Sequence, residues 1–256
     1  LVGSEMCIRD VGGRGHGGSS ALQKVTRHFT ILCMTSGPPL TWLEPGAPFP
    51  DPRTAWPLGS PAAGLLAAGR ELNPERLLQA YRQGIFPWFS TGQPVLWFCT
   101  HPRMVLRPQE FTLHHSVRKE IRKLLRLGRL TVHFDAPFAE VMHSCADIPR
   151  EGQAGTWIGP EMIEAYSTLH RMGHARCVTA SIDGQWVGGL YGVFLGRMVF
   201  GESMFSLRSN GSKMALAALV AWARHHQLPL IDCQQETRHL EFMGARAMAS
   251  ATMNSR

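Results

Sequence analysis

The stretch that decides the fold runs from Gly188 to Leu216 and reads GGLYGVFLGRMVFGESMFSLRSNGSKMAL. Its first part predicts a β-hairpin, because two runs of β-forming residues flank the turn dipeptide Gly196-Arg197. Its last part predicts an apolar helix over residues 213–225, preceded by polar residues that are typical N-caps. This stretch therefore joins a strand pair to a helix at one point of the chain.

Glu202 lies between the hairpin and the helix, with Phe200 and Met204 two positions away on either side. A carboxylate in such an apolar setting loses hydration unless it is paired or hydrogen-bonded. Two interpretations are open at this point. Glu202 either closes the hairpin by accepting backbone N–H groups, or it is a functional carboxylate.

The segments around this stretch add further strands and helices. Asp183-Gly184, a dipeptide that suits a type I′ turn, predicts a hairpin immediately before it. Residues 228–231 predict a short buried strand that ends in Asp232-Cys233-Gln234. Earlier helices are predicted over residues 74–83, 116–127, 137–145 and 161–172. Strands and helices in this irregular order predict an α+β fold with a mixed sheet rather than a regular βαβ series.

The chain of 256 residues is long enough for one large or two modest domains. We expect residues 1–36 to be a disordered or non-native extension, because the Gly-rich start has no amphipathic period. A segment with several prolines, including Pro102 and Pro108, predicts a linker. The expected domains are therefore a small amino-terminal one over 37–108 and a larger one over 109–256.

The formal net charge is +7 and the isoelectric point about 9.4, which favours a polyanionic partner. The strongest basic signal is the predicted helix over 116–127, where arginines recur at i, i+4 spacing. Like charges at this spacing repel each other, and a phosphate backbone would relieve that repulsion. The predicted nucleic-acid contacts on this helix are Arg118, Lys119, Arg122, Lys123 and Arg126.

Several classes of protein are disfavoured by the composition. The six cysteines form no C-x-x-C pair and no zinc spacing, which favours a reduced, cytosolic chain over a disulfide scaffold. No apolar run approaches the length of about 20 residues that a membrane helix needs. The sequence shows no metal motif and no nucleotide-hydrolysis loop, so no cofactor or metal is expected.

Ten short motifs are spread over residues 42 to 246. They are GLLAAG (64–69), LLQAYRQGIFPWFS (77–90), PVLWF (94–98), HPRMVL (101–106), TWI (156–158), AYSTLH (165–170), VGGLYGV (187–193), GESMFS (201–206), SKMAL (212–216) and LIDCQ (230–234). In their order and spacing this part of the chain resembles the leucyl/phenylalanyl-tRNA–protein transferase family, and the set is far more specific than any one motif. Two departures lie in the larger domain, where Thr179 replaces an acid and Val199 replaces an aromatic residue.

The resemblance implies a carboxyl domain of the GNAT-related acyltransferase fold behind a small amino-terminal domain. It implies that Leu or Phe is transferred from Leu-tRNA or Phe-tRNA to a protein with an N-terminal Arg or Lys. The product is then marked for bacterial N-degron degradation. A cytoplasmic location, and no membrane partner, follow from the same resemblance.

The resemblance also implies roles for residues of the expected site. Gln234 stands at the reacting centre, held and polarised by Asp232, and Glu202 binds the incoming basic N-terminus or aligns the aminoacyl ester. Lys213, at a helix start, is a further candidate for a tRNA phosphate. The expected substrate-binding residues are Trp88 and Trp157 for the terminal adenosine, with Leu190, Val199, Ser203, Met204, Leu216 and Leu219 around the aminoacyl group.

Two other functions agree with part of the sequence. A coenzyme-A-dependent N-acetyltransferase needs a pyrophosphate loop at a helix start, and the segment from Arg208 to Lys213 matches that loop only in part. An RNA-binding module without activity explains the basic helix and the aromatic residues but leaves Glu202, Asp232 and Gln234 without a role. A hydrolase built on Cys233 or Cys177 is disfavoured, because buried cysteines are commonly inert.

Overall fold

The computed structural model describes residues 38–148, 156–235 and 237–248. These residues fall into two compact units that meet between His101 and Pro102. The extension expected over residues 1–36 lies outside the described residues. No helix among those described is long and apolar enough to cross a membrane.

The amino-terminal unit is a four-stranded sheet with one helix. Its elements are β1 (Thr41–Leu43), β2 (Leu65–Gly69), α1 (Pro74–Arg82), β3 (Phe86–Pro87) and β4 (Val95–Phe98), and a short 3-10 helix covers Pro52–Thr54. The strand order is β1-β2-β4-β3. Helix α1 begins as the sequence predicts, because the Asn73 side chain accepts a hydrogen bond of 2.8 Å from the Arg76 N–H.

The carboxyl unit is built on a seven-stranded sheet. Its strands are β5 (Arg103–Leu106), β6 (Leu130–Phe134), β7 (Ala175–Ile182), β8 (Gln185–Leu195), β9 (Met198–Ser206), β10 (Leu230–Gln234) and β11 (Arg246–Met248). Its helices are α2 (His115–Arg126), α3 (Phe138–Ala146), α4 (Pro160–Arg171), α5 (Gly211–His225) and α6 (Arg238–Phe242), with a 3-10 helix over Pro108–Glu110. The strand order is β11-β5-β10-β9-β8-β7-β6.

The larger sheet is mixed, because β9 and β10 pair in parallel while the other neighbours pair antiparallel. The parallel pair is connected through α5, and the hairpins β7–β8 and β8–β9 come directly from their turn dipeptides. Asp183 and Gly184 have φ values of +52° and +79°, as a type I′ turn requires. The predicted α+β fold with a mixed sheet flanked by helices is confirmed.

Two adjacent residues of β8 show which helices cover each face of this sheet. Leu190 belongs to the buried core that includes Leu216 and Leu219 of α5. The ring of Tyr191 contacts Phe138 of α3 and Tyr166 of α4. Because successive strand residues point to opposite faces, α5 covers one face and α3 with α4 covers the other.

Helix α5 packs against β8 with unusual closeness. A Cβ atom on Gly211 would lie 1.8 Å from the Val187 carbonyl oxygen, and one on Gly188 would lie 2.3 Å from the Gly211 carbonyl carbon. Both distances are far below any real contact of a Cβ atom. The two glycines therefore allow the start of α5 to rest directly on the strand backbone.

Two segments differ from their sequence-based prediction. The residues expected to form a linker contain β5, which pairs with both β10 and β11. Strand β9 continues to Ser206, so Glu202 lies within a strand rather than in a loop after the hairpin. Long-range pairing with β10 explains the first difference. The second arises because the β8–β9 ladder continues past a register shift at Glu202 as far as Ser206.

Candidate active site

The polar residues of the site collect where the parallel strands β9 and β10 stop pairing. The last residues in register are Phe200 and Asp232. Glu202 and Gln234 each lie two positions beyond that pair, one on each strand. Each stands at an irregular point of its strand, because the β8–β9 register shifts around Glu202 and the β10–β5 register shifts before Gln234. Such bulges re-aim side chains next to functional sites.

The side chains of Gln234 and Glu202 bridge the gap between the two strands. Gln234 Nε2 donates to Glu202 Oε1 at 2.7 Å, and the Tyr166 hydroxyl of α4 donates to Glu202 Oε2 at 3.3 Å. Both partners are buried, with Glu202 2% and Gln234 6% exposed. Glu202 therefore has side-chain hydrogen-bond partners from both β10 and α4.

Asp232 is completely buried, and two described residues donate hydrogen bonds to its carboxylate. Arg103 Nε donates to Asp232 Oδ1 at 2.8 Å and to Oδ2 at 3.0 Å. The backbone N–H of Gln234 donates to Asp232 Oδ1 at 2.8 Å. The carboxylate is thus joined to one side chain from β5 and to the backbone of the residue two positions ahead of it.

All these groups lie on the face that α4 covers. Ile231 and Cys233 belong to the core under α5, so Asp232 between them points to the other face. The same alternation places Arg103 there, because Met104 after it belongs to the α5 core. The sheet thus carries this row of buried polar groups on the face that α4 covers.

The link between Asp232 and Gln234 differs from the expected one. The sequence predicts that the two residues project from one strand face as a coupled acceptor–amide pair. Instead, Gln234 has a φ of +62°, and its side-chain amide binds Glu202 while its backbone N–H binds Asp232. The coupling runs through the backbone because the bulge turns the Gln234 side chain towards β9.

The residues expected around the aminoacyl group are divided between the two faces. Four of them are buried in the packed core under α5, away from Glu202, and these are Leu190, Val199, Leu216 and Leu219. Ser203 pairs with Tyr191 in the β8–β9 ladder and is buried. Met204 is half-buried against the same core. The role of these six residues in binding the aminoacyl group stays a prediction.

The two tryptophans expected to stack on adenosine belong to different units. Trp88 is half-buried in the amino-terminal unit, where its ring lies 5.5 Å from that of Phe98. Trp157 is half-buried just before α4, and Thr156 Oγ1 accepts the N–H of the following residue Ile158 at 3.0 Å. Both keep ring surface accessible, and their role in stacking stays a prediction.

The predicted basic helix is α2, and its charges face solvent. All five cationic residues expected to contact tRNA on it are exposed, namely Arg118, Lys119, Arg122, Lys123 and Arg126. Among the residues that the structure describes, none of the five forms an ion pair with an acid. Glu120 is held from the other side, since it accepts from Asn210 at 2.9 Å and lies 3.9 Å from Arg208. The helix therefore presents a one-sided cationic surface.

The start of α5 does not offer the amide groups that a pyrophosphate loop requires. The Gly211 N–H donates to the Arg208 carbonyl at 2.9 Å, and the Ser212 N–H donates to Ser206 Oγ at 3.2 Å. Lys213 Nζ donates to Asn210 Oδ1 at 3.1 Å. This geometry gives no support to the acetyltransferase alternative, while Lys213 stays a candidate for a phosphate contact.

Cys233 and Cys177 are in environments that disfavour the reactive thiolate. Burial raises the pKa of both the Cys233 and the Cys177 thiol to about 12. Since the thiolate is the nucleophile, neither residue is activated at neutral pH. This agrees with the sequence-based preference against a cysteine hydrolase.

Sequence reasoning missed two members of the polar row, Arg103 and Tyr166. The sequence places Arg103 in the predicted linker and Tyr166 in a predicted helix, and neither pattern indicates a polar role. The arginine in HPRMVL was the available signal, because a charged residue in a run of apolar residues needs a buried partner. Nothing local identified Asp232 as that partner, which lies 129 positions further along the chain.

Comparison with known proteins finds matching family models and closely related sequences. Residues 105–256 match the family model "Leucyl/phenylalanyl-tRNA protein transferase", and residues 70–101 match the model of that family's N-terminal domain. A leucyl/phenylalanyl-tRNA–protein transferase of Burkholderia pseudomallei (strain 668) is 53% identical over 211 residues, which cover 82% of this chain and 83% of the relative. One of the same name from Polaromonas sp. (strain JS666 / ATCC BAA-500) is 54% identical over 207 residues, or 81% of each chain.

Solved structures resemble the chain only distantly. The crystal structure of FemX is 14% identical, with a TM-score of 0.40 over 67% of this chain and 65% of that one. A GCN5-related N-acetyltransferase from Kribbella flavida is 12% identical, with a TM-score of 0.31 over 69% of this chain and 62% of that one. Scores this low support no inference about function.

Proposed function

Because the chain belongs to the leucyl/phenylalanyl-tRNA protein transferase family, we propose that its buried polar row serves aminoacyl transfer. The chain is an aminoacyltransferase that moves Leu or Phe from aminoacyl-tRNA to an acceptor protein. The acceptors that we propose carry an N-terminal Arg or Lys, and transfer marks them for N-degron degradation in the cytoplasm. The hydrogen bond between Gln234 and Glu202 across the split strands is the observation that carries the site assignment.

The reaction replaces an ester with an amide. The acceptor's α-amine nitrogen forms a bond to the aminoacyl carbonyl carbon, and the bond from that carbon to the ribose oxygen of the terminal adenosine breaks. The amine loses a proton, and the released ribose oxygen gains one. Because an α-amine has a reference pKa of about 7.7–8.0, a fraction is already neutral and no strong base is needed. Orientation of the amine is then the main requirement.

Gln234 is the residue that we assign to orient the amine. An ionised carboxylate only accepts hydrogen bonds, so Glu202 holds the Gln234 amide with its NH₂ group towards β9. We assign the carbonyl oxygen of that amide, on the side away from Glu202, to accept from the amine. Tyr166 also donates to Glu202 and restrains the carboxylate from the α4 side. Asp232 acts on the Gln234 backbone rather than on substrate.

The cationic residues of α2, together with Lys213, are the contacts that we assign to the tRNA phosphates. The exposure of the α2 residues and their lack of ion pairs among the described residues support this role. Lys213 is half-buried at the start of α5 and is assigned by its position. Trp88 and Trp157 are assigned to stacking on the terminal adenosine, an interaction that contributes about 1–3 kcal/mol for one base. The aminoacyl side chain is assigned to Met204 and the neighbouring apolar residues.

The test is the transfer of radiolabelled Leu from Leu-tRNA to peptides that differ only at the first residue. We expect label on peptides that begin with Arg or Lys, none on the N-acetylated Arg peptide, and none from acetyl-CoA as a parallel donor. Gln234→Ala and Asp232→Ala should abolish transfer, whereas Asp147→Ala, which removes an exposed carboxylate of the same unit, should not. Circular dichroism checks folding, because Asp232→Ala leaves a buried arginine without its carboxylate.

Label on every free amine would overturn the proposed acceptor class, and full activity in Gln234→Ala would overturn the site. Equal transfer from acetyl-CoA would instead favour the acetyltransferase alternative. Each result addresses a different part of the proposal.

A further inference from the structure

Arg103 and Asp232 form an ion pair inside the larger sheet. Arg103 is 2% exposed and Asp232 0%, and one nitrogen, Nε, lies within 3.0 Å of both carboxylate oxygens. A buried pair of this kind contributes little to stability compared with apolar residues of similar volume, whereas the loss of one partner is strongly destabilising. The pair therefore calls for an explanation other than stability.

The carboxylate of this pair restrains the backbone of Gln234. A non-glycine residue with φ near +60° is in an unfavourable backbone conformation, and Gln234 has a φ of +62°. The hydrogen bond from its N–H to Asp232 Oδ1 is the Asx-type contact that stabilises such a turn. The orientation of the Gln234 side chain thus depends on where the Asp232 carboxylate points.

These contacts form one continuous chain across three strands. Arg103 of β5 binds Asp232 of β10, Asp232 binds the Gln234 backbone, and the Gln234 amide binds Glu202 of β9. Each link is between 2.7 and 2.8 Å at its shortest contact. A substitution at Arg103 can therefore alter the position of the Gln234 amide through Asp232. Direct contact between Arg103 and the amide is not required.

We infer that Arg103 is a positioning residue of the transfer reaction, because it orients Asp232 and so sets the Gln234 amide against Glu202. This inference rests on the proposed function, since it needs a reaction in which Gln234 takes part. It assigns to β5 a role in the chemistry beyond that of a structural strand. Arg is required rather than Lys, because the planar guanidinium can direct Nε at two oxygens from a fixed position.

The experiment compares wild type with Arg103→Met, Arg103→Lys, Asp232→Asn and the double variant Arg103→Met/Asp232→Asn. The single-turnover rate of Leu transfer, the dissociation constant for Leu-tRNA and the amide exchange rate of the Gln234 N–H are measured on each full-length protein. Arg76→Met is the matched control, because Arg76 is also buried, at 3% exposure, but bonds the Ala47 carbonyl in the amino-terminal unit.

We expect Arg103→Met to slow transfer by about 100-fold while the dissociation constant for Leu-tRNA changes by less than about threefold. Arg103→Lys should slow transfer by at least about tenfold. The double variant should be no slower than the slower single variant, because residues that act as one unit are not additive. Amide exchange at Gln234 should be faster in Arg103→Met and unchanged in Arg76→Met.

A folded Arg103→Lys protein with the wild-type rate would overturn the inference, and so would unchanged exchange at Gln234 in Arg103→Met. Rate losses that multiply in the double variant would show independent action and would also overturn it. If Arg103→Met does not fold, Arg103→Lys and the double variant, which buries no unpaired charge, decide the question. Failure of wild type to transfer Leu would overturn the proposed function first, and the exchange data would still report the geometric part separately.

Discussion

Two buried hydroxyl groups of the larger sheet differ sharply in their hydrogen bonds. The Thr179 hydroxyl, on a residue with 0% exposure, has no partner among the residues described. The Ser206 hydroxyl donates to the Arg208 carbonyl at 2.8 Å and accepts from the Ser212 N–H at 3.2 Å. A buried polar group without a partner is unfavourable, whereas a satisfied one is stabilising.

The contrast predicts opposite effects of removing the two hydroxyls. Thr179→Val should leave the free energy of unfolding unchanged or raise it by up to about 1 kcal/mol, because it replaces an unsatisfied group with a methyl. Ser206→Ala should lower it by about 1–2 kcal/mol, because the Ser212 N–H loses its acceptor. Urea denaturation at constant m-value measures both, and a loss of stability in Thr179→Val would contradict the assignment.

Two residues with left-handed backbone show how differently that conformation is maintained. Asp183, with φ +52°, lies in a tight turn beside a glycine, where local geometry alone favours it. Gln234, with φ +62°, lies at the end of a central strand and is held by a side chain that Arg103 binds in turn. The first residue is explained by its neighbours in sequence, and the second requires the packed sheet.

At the scale of elements, helix α2 carries exposed arginines that form no salt bridge among the described residues. Arg118, Arg122 and Arg126 recur every fourth residue on an exposed surface, while Val117 and Leu124 are buried. Arg129, just beyond the helix, is instead neutralised by a salt bridge to Asp183. Arg129 can therefore serve as a control for the α2 arginines, because it has an acidic partner and they have none among the described residues.

We predict that the triple variant Arg118→Gln/Arg122→Gln/Arg126→Gln binds Leu-tRNA more weakly. The logarithmic salt dependence of binding should become shallower by about 1 for each phosphate that the variant no longer neutralises. Arg129→Gln, the control, should change neither quantity because its charge is already paired. Filter binding over a range of salt concentrations measures both, and an unchanged salt dependence in the triple variant would exclude α2 from the tRNA interface.

The junction of α5 with β8 makes a prediction about packing. Gly211→Ala should lower the free energy of unfolding by about 3 kcal/mol or more, because the new Cβ meets the Val187 carbonyl, a backbone atom that cannot move aside alone. Gly196→Ala, at a turn with φ +57° and nothing within 4 Å, should lower it by only about 1 kcal/mol through backbone strain. Thermal and urea unfolding compare the two, and equal losses would contradict the close packing.

At the scale of the whole molecule, one histidine links stability to pH. Burial, with a further contribution from Lys213, lowers the pKa of His239 from 6.5 to about 4. Between these values the unfolded chain binds a proton that the folded chain does not. The free energy of unfolding therefore falls as pH decreases from 6.5 to 4. Above pH 6.5 His239 is neutral in both the folded and the unfolded chain, and this loss of stability is absent.

We predict that the free energy of unfolding rises between pH 4 and pH 6.5 by less than about 1.4 kcal/mol per pH unit from this group. The slope cannot exceed that limit because a single histidine binds only one proton. Solvent screening of the partly exposed side chain reduces the total effect by bringing the folded and unfolded pKa values closer together. His239→Asn should reduce the slope in this window and leave it unchanged at higher pH. Denaturant titrations at several pH values test this, and an identical slope in the variant would assign the effect to other groups.

The distribution of charge also belongs to this scale. The net charge of +7 predicted a polyanionic partner without locating it. The structure puts exposed cations on α2, while the acids of the polar row are buried under α4. The exposed cations and the buried acids are thus on different elements of the larger unit.

The sequence alone determined the features that depend on neighbouring residues. The Asp183-Gly184 turn, the start of α1 and the helices α3 and α4 follow from local sterics and short-range hydrogen bonds. The α+β class and the family were also predicted. Each of these depends on a pattern that is contained within a few consecutive residues or on many short motifs in order.

Only the tertiary structure decided which side chains meet. Arg103 reaches Asp232 across 129 positions, and its strand looked like a linker because prolines surround it. The bulge before Gln234 turned its amide towards Glu202, and strand alternation put Leu190 and Val199 in the core instead of beside that pair. These outcomes depend on strand register and on the face to which a residue points, which long-range pairing sets and no local pattern contains.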